Sequence, residues 1–380
     1  MTVLAEWRRL VTAEAIRMLL KEVGIEIDGP APWDLQVHDQ RWYSHVVRNK
    51  NLGLGESYMD GWWDCAQIDE TVCRLQLGGL EDKIRGNVKY LVRLLPAILF
   101  NLQSSSRARI IAQRHYDLGN DLFFAFLDQY RQYSCGYFQD TDDLDRAQQN
   151  KLELICRKLN LSPSDHLLDI GCGWGGLARY AAEHFGCKVT AVNISREQLR
   201  YARDFCRDLP VRFEDCDYRA INGRFDKIVS VGMFEHVGQK NYRAFMKTVR
   251  RCLKDDGIFL LHTIGGNTSR SGCDPWINRY IFPNGMLPSA AQIAQAVEGL
   301  FVIEDCHNLG PHYDRTLVAW NANFQAAWLR LKSHYDERFK RMWEYYLLSC
   351  AGAFRARTIQ VWQIVMTPFG LGAAQPFCRL

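Results

Sequence analysis

The stretch DHLLDIGCGWGGLARYAAEHF, residues 165–185, decides the fold. A short apolar run ends in Asp169, four glycines follow within residues 171–176, and a segment with helical spacing comes after them. This order predicts a buried strand, a tight turn and a helix. Glycine in such a turn permits positive φ and lets a ligand approach both the backbone and the N-terminus of the helix.

The same alternation continues outward. CKVTAVNI (187–194) reads as a second strand, and SREQLRYARDFCRDL (195–209) as a helix with Ser195 as N-cap and Glu197 and Gln198 in its first turn. VRFEDCDY (211–218), RFDKIVSVG (224–232) and DDGIFLLHTIG (255–265) give further strands, with the helix KNYRAFMKTVRRCL (240–253) before the last. LFVIEDCHN (300–308) and RTLVAWNA (315–322) are two more strand candidates. A long helix over about 334–366 is expected to close the chain. Its stripe of Tyr335, Phe339, Met342, Tyr346, Cys350 and Phe354 reads as core packing, with a wall of a lipid pocket as the alternative. The expected fold is α/β and doubly wound, a parallel sheet with helices on both faces.

The first hundred residues differ. AEWRRLVTAEAIRMLLKEVGI (5–25) places Trp7, Leu10, Val11, Ala15, Met18 and Leu19 at helical spacing, and a Gly/Pro-rich break follows at 28–34. The polar NLQSSSR (101–107) reads as a linker, so a mainly helical N-terminal domain over 1–103 and a second domain over 104–380 are expected. Trp62 and Trp63 beside Met59 suit either the core of the first domain or contact with a lipid interface.

Composition narrows the classes. Of the 380 residues 47% are apolar and 24% charged, which excludes disorder, collagen and coiled coil as the dominant state. The longest apolar runs, GIFLLHTIG (257–265) and LLPAILF (94–100), fall short of the ~20 residues that span a bilayer. With no signal-peptide pattern at the start, a soluble cytoplasmic protein is expected. The thirteen cysteines show no C-x-x-C pair or zinc-finger spacing, so no metal is expected and the thiols read as core fillers in a reducing compartment. The net charge of +4 is too weak to imply nucleic acid, but it is uneven. Residues 1–103 hold 12 Lys and Arg against 14 Asp and Glu, whereas the remainder hold 35 against 29. The second part suits an anionic surface.

Gly171, Gly173 and Gly176 also satisfy the dinucleotide pattern G-x-G-x-x-G, which on its own is weak. A dinucleotide fold should carry an acid at the end of the second strand, where this chain has Asn193. Many S-adenosylmethionine enzymes carry an acid there too, so Asn193 counts against both readings. Asp169 before the glycines and Asp217 after the third strand favour S-adenosylmethionine over a nicotinamide or flavin cofactor. Glu235 and His236 follow the fourth strand, and His262 lies in the fifth. In open α/β sheets ligands bind outside the carboxyl ends of the strands, which brings Glu235 and His262 toward one crevice. A satisfied polar group in the core is the plainer reading for His262 alone but not for Glu235 alone, and their joint position above the glycine loop counts against it for both.

The strings HYDLGNDLF (115–123), YSCGYF (133–138), LDIGCGWGG (168–176), VGMFEHVG (231–238), LLHTIG (260–265), DPWINRYIFPNG (274–285) and CAGAFRAR (350–357) occur in one order. Together they resemble the cyclopropane-fatty-acyl-phospholipid synthases and, in the catalytic part, the related mycolic acid cyclopropane synthases. LGLGESYMDGWWD (52–64) resembles the bacterial phospholipid enzymes. The resemblance implies a Rossmann-like S-adenosylmethionine-dependent methyltransferase fold behind a smaller lipid-interaction domain. It implies transfer of a methylene to the cis double bond of a phospholipid acyl chain, through a carbocation deprotonated by bound bicarbonate. Carried over by residue, the bicarbonate site matches Cys135, Glu235, His262, Ile264 and Tyr313, with the backbones of Cys135 and Ile264 completing the cradle. The cofactor residues match Tyr133, Ser134, Gly171, Gly173, Asn193, Ile194, Gln198, Asp217 and Tyr218. Family members often have Thr in place of Asn193, which makes Gln198 the preferred ribose partner. Cys350 has been treated as an active-site thiol in the family, although alkene methylation gives a nucleophile no obvious task. The resemblance further implies a homodimer that visits the inner membrane surface, with no nucleic-acid partner. A transferase acting on a small polar acceptor and a silent lipid-binding protein are the competing readings.

Overall fold

The computed structural model describes residues 13–79, 119–270 and 272–370. It divides into two compact units. The first takes the described residues up to 122 together with 273–283 and 320–358, and the second takes the described residues of 123–272, 284–319 and 359–370. The expected boundary at 103/104, the linker at 101–107 and LLPAILF lie outside the described residues.

The second unit is built on a seven-stranded sheet. Its strands are β1 (His166–Ile170), β2 (Lys188–Asn193), β3 (Val211–Asp215), β4 (Phe225–Val231), β5 (Leu253–Gly266), β6 (Phe301–Asn308) and β7 (Ile359–Pro368). They lie in the order β3-β2-β1-β4-β5-β7-β6. The first five run parallel, and β7 inserts antiparallel between β5 and β6. The helices are α1 (Leu144–Lys158), α2 (Gly176–Phe185), α3 (Arg196–Phe205), α4 (Tyr242–Cys252) and α5 (Ala290–Val297).

Alternation along the strands explains why they read as continuous apolar runs. Leu167, Val189, Ala191, Val229, Leu260 and Val365 pack with Leu152 and Ile155 of α1, Ala178 and Ala181 of α2 and Leu199 of α3. Their neighbours Leu168, Val192, Ile228, Phe259, Leu261 and Ile364 pack on the other face with Phe245 and Val249 of α4 and Ile293 of α5. A sheet covered on both faces needs apolar residues at both parities.

Two expectations fail here. RTLVAWNA is not a strand, because it lies within the helix Gly310–Leu331. Thr316, Leu317, Trp320, Phe324, Ala327 and Leu331 are buried at helical spacing, a period that an eight-residue window cannot show. The closing helix stops at Arg355 instead of running to 366, and β7 follows it. The break carries neither Gly nor Pro; Arg357 takes the left-handed conformation at φ 59° where glycine usually serves. The sheet is therefore mixed at one edge and not wholly parallel.

The first unit packs the helices Arg41–Met59, Ile68–Leu77 and Glu337–Arg355. Two-residue strands Gln36–Val37 and Trp63–Asp64 pair antiparallel. Trp63 is fully buried and its indole N–H donates to the Leu54 carbonyl and the Ser57 hydroxyl, both at 3.1 Å. Met59 is buried as well, so both belong to the core, while half-buried Trp62 lies under the Arg41 guanidinium at 4.5 Å. Phe339, Met342, Tyr346 and Phe354 of the closing helix are buried, as core packing requires. Of the residues read at helical spacing near the start, Ala15 and Leu19 are buried, but Met18 is 44% exposed.

Candidate functional site

A cavity of about 570 Å³ opens at the carboxyl ends of β1, β2 and β4. Tyr133, Ser134, Gly171, Gly173, Asn193, Ile194, Gln198, Asp217 and Tyr218 all line it, and so do Gln132, Asp169, Trp174 and Met233. Two glycines shape its floor. Gly171 sits at φ 86°, and a Cβ there would meet Met233 at 2.8 Å; Gly173 sits at φ 54° with nothing within 4 Å of where a Cβ would be. The loop is bent by the first and kept clear for a ligand by the second.

Asn193 is occupied by the fold. Its amide donates to Gln198 Oε1 at 2.8 Å and to the Gly173 carbonyl at 3.3 Å, and its oxygen accepts the Ile194 N–H at 2.8 Å. With Oε1 of Gln198 engaged, its NH2 group is what the side chain offers to a sugar hydroxyl. Asp217 pairs with Arg219 at 2.7 Å, and that guanidinium holds its carboxyl below the usual range. Tyr218 packs edge-on against Phe245 at 5.2 Å. Trp174 and Tyr133 pack on Phe123 at 5.0 and 5.2 Å, so the aromatic segment before the sheet covers the glycine loop.

Asp169 is 2% exposed, and its Oδ2 has no hydrogen-bond partner. Burial pushes its carboxyl up to about 7, opposed by the Lys151 charge. Lys151 is fully buried on α1 and donates to Gln132 Oε1 at 2.5 Å and Ser134 Oγ at 3.0 Å. Burial lowers it to about 8, with Asp128 and Asp169 acting the other way. Sequence reading missed Gln132 and Lys151, although a lysine on the apolar stripe of an amphipathic helix was the available signal.

Glu235 stands on the turn after β4 and is 7% exposed. Its Oε1 accepts the Ile264 N–H at 2.6 Å, whereas Oε2 has no partner. Burial pushes it up to about 7. His262 is 1% exposed; its Nδ1 meets the Gln363 amide nitrogen at 3.3 Å, and Nε2 has no partner. Burial and the charges of Lys151 and Lys158 push it down to about 3, so the ring is neutral at any ordinary pH. A base it is not. Tyr313 is buried. Cys135 is fully buried, donates to the Gly136 and Leu309 carbonyls, and its thiol is raised by burial. The Ile264 N–H is already taken by Glu235, so it is the carboxylate that this backbone group orients. Cys350 belongs to the first unit, where burial raises its thiol to about 12 and leaves it a poor nucleophile. Among the described residues no group of His, Cys, Asp and Glu could hold a metal ion.

A profile of the family described as mycolic acid cyclopropane synthetase matches residues 103–364. The chain belongs to this family. It is 53% identical over 349 residues to the cyclopropane-fatty-acyl-phospholipid synthase of Escherichia coli (strain K12), covering 92% of this chain and 91% of that one. Among solved structures, the cyclopropane synthase MmaA2 from Mycobacterium tuberculosis matches with 30% identity and a TM-score of 0.63. The mycolic acid cyclopropane synthase CmaA1 complexed with SAH and CTAB matches with 32% identity and a TM-score of 0.62. Each match covers 70% of this chain and 99% of the other. As a cyclopropane synthase family member, the chain is an S-adenosylmethionine-dependent enzyme of the methyltransferase class, and its sheet is the Rossmann-like fold of that class.

Proposed function

We propose that the enzyme adds a methylene from S-adenosylmethionine across the cis double bond of unsaturated acyl chains in phospholipids, forming a cyclopropane ring. The alkene would form a bond to the sulfonium methyl as the S–CH3 bond breaks, its electron pair staying on sulfur to give S-adenosylhomocysteine; the resulting carbocation would close to the ring as the added methyl loses a proton to bicarbonate. S-adenosylmethionine supplies the electrophilic methyl, and bicarbonate supplies the base.

The observation that carries the reading is the pair of buried, unpartnered polar atoms, Glu235 Oε2 and His262 Nε2. Such atoms cost about 1–3 kcal/mol each when left unsatisfied, so a polar occupant is expected beside them. An acid anion with one O–H suits them: the Glu235 carboxylate accepts, and the neutral His262 and the Tyr313 hydroxyl donate. The His262 ring cannot itself take the proton, so a base other than this imidazole is required. The residues lining the open cavity would hold the cofactor. Asp169, with its unpartnered Oδ2, would hold the methionine ammonium, the Gln198 amide would hold the ribose, and Asp217 and Tyr218 would hold the adenine end. Tyr133 and Trp174 offer π faces to a nearby cation.

Among the described residues no helix is long and apolar enough to cross a membrane, so a bilayer substrate calls for reversible contact with the surface. The excess of Lys and Arg beyond residue 103 supports attraction to anionic headgroups. A peripheral homodimer on the inner membrane surface completes the reading and rests on the family resemblance. Incubation with S-adenosylmethionine and vesicles of unsaturated phospholipid should add the mass of one CH2 per double bond, with cyclopropane protons visible by NMR. A methyl branch instead of a ring, or turnover only on a water-soluble acceptor, would overturn it.

A further inference from the structure

We propose that Gln363 is a positioning residue that fixes which nitrogen of His262 carries the proton. Its amide N–H donates to Nδ1 and so leaves the ring hydrogen on Nε2. The inference deepens the proposed function and rests on it in one respect, that an anion accepts the Nε2 hydrogen.

The insertion of β7 between β5 and β6 creates the arrangement. Strand register sets His262 opposite Gln363, and Gln363 opposite His307. Three polar residues thus form one row across three strands, on the sheet face that α1 covers. From α1, Lys158 reaches His307 Nδ1 at 3.0 Å and Asp305 at 3.6 Å, while Lys151 is bonded to Gln132 and Ser134. Gln363 itself is fully buried, with Val361, Trp362, Ile364, Val365 and Met366 buried around it in the strand. An apolar side chain would be the cheaper occupant of such a position unless the amide has a task.

The electrostatics decide what the task is. A neutral imidazole carries one hydrogen, so each nitrogen must be either donor or acceptor. With two buried ammonium groups near His262, the doubly protonated ring is not accessible. If the Gln363 oxygen faced Nδ1, the hydrogen would be drawn there and Nε2 would present a lone pair. A bare lone pair beside an anion is repulsive, and in a buried site it is strongly so. With the amide nitrogen at 3.3 Å from Nδ1, the opposite holds, and Nε2 becomes a donor.

The test is the tautomer of His262, read by long-range 1H–15N correlation on the full-length protein labelled with 15N-histidine. Signals of His262 are assigned by their loss in His262→Gln. In the wild type the hydrogen should reside on Nε2. Gln363→Glu should move it to Nδ1 and lower kcat about tenfold or more, with KM for S-adenosylmethionine unchanged. Gln363→Leu should give a mixed tautomer and a smaller loss of kcat, and it carries the test if the glutamate variant does not fold. Hydrogen on Nδ1 in the wild type, or an unchanged tautomer in both variants, would overturn the assignment. Addition of bicarbonate separates the two claims. A shift of the Nε2–H signal supports the anion. An unchanged Nε2–H signal overturns the anion reading and leaves the role of Gln363 standing.

Discussion

The cavity at the carboxyl ends of β1, β2 and β4 and the polar row beneath α1 belong to one unit, and α1 reaches both: Lys151 holds Gln132 and Ser134 at the cavity wall, and Lys158 reaches His307 in the row. Their chemistry is opposed. In the cavity, Asp217 and Ile194 are substantially exposed, and Asp169 is poised to change its charge near neutrality. In the row, His262 and Gln363 are 1% and 0% exposed, and the imidazole is held in one charge state. The difference teaches that one sheet can support two kinds of site. The first exchanges a charged ligand with water. The second holds an imidazole in one charge state and orients it with fixed dipoles, beside a Glu235 carboxyl that burial raises to about 7.

The largest effect expected to separate them comes from Glu235→Gln. The variant should lose about 10²–10⁴ in kcat, the range for removal of acid–base machinery, while binding S-adenosylmethionine as the wild type does in calorimetry. Equal loss of binding and turnover would merge the two sites into one. Gly171→Ala probes the other region. Its φ of 86° and the Met233 contact should cost about 1–3 kcal/mol in denaturant unfolding and weaken cofactor binding, with no change in the His262 tautomer.

Cofactor affinity should also rise with pH. Asp169 is raised to about 7, so it is neutral below that value and an anion above it; a cationic ligand binds the anion better. Affinity should increase about tenfold between about pH 6 and pH 8 and lose this slope in Asp169→Asn. Lys151→Met removes the charge that favours the Asp169 anion and should move the rise to higher pH. A flat profile in the wild type would remove Asp169 from the ammonium site. The smallest effect belongs to Cys350→Ser, which should keep turnover within about twofold, because a buried thiol raised to about 12 is no nucleophile.

Much of this architecture was legible in the sequence, for reasons that can be named. The glycine loop is visible because positive φ at 171, 173 and 175 and close approach at 176 favour glycine at those positions. The strands β1, β2 and β4 are visible because each is a short, mostly apolar run bounded by turns, whereas β3, VRFED, is marked only by its place in the strand–helix alternation. β7 was not, since IQVWQIVM follows a helical stripe with no Gly or Pro to mark the break, and Arg357 makes the left-handed turn in glycine's place. Gln363 was hidden for the same reason: its meaning lies in strand register, which pairs it with His262 from 101 residues away. Lys151 and Lys158 were readable as anomalies on a buried helical face, but what they touch depends on the tertiary fold.

The central claim is that a bound anion, and not a side chain, takes the proton beside Glu235 and His262. Turnover on unsaturated phospholipid vesicles, measured at constant pH in buffer stripped of carbon dioxide and then with bicarbonate restored, tests it most directly. The account predicts low turnover that bicarbonate restores in the wild type and does not restore in Glu235→Gln. Full turnover without bicarbonate would contradict it.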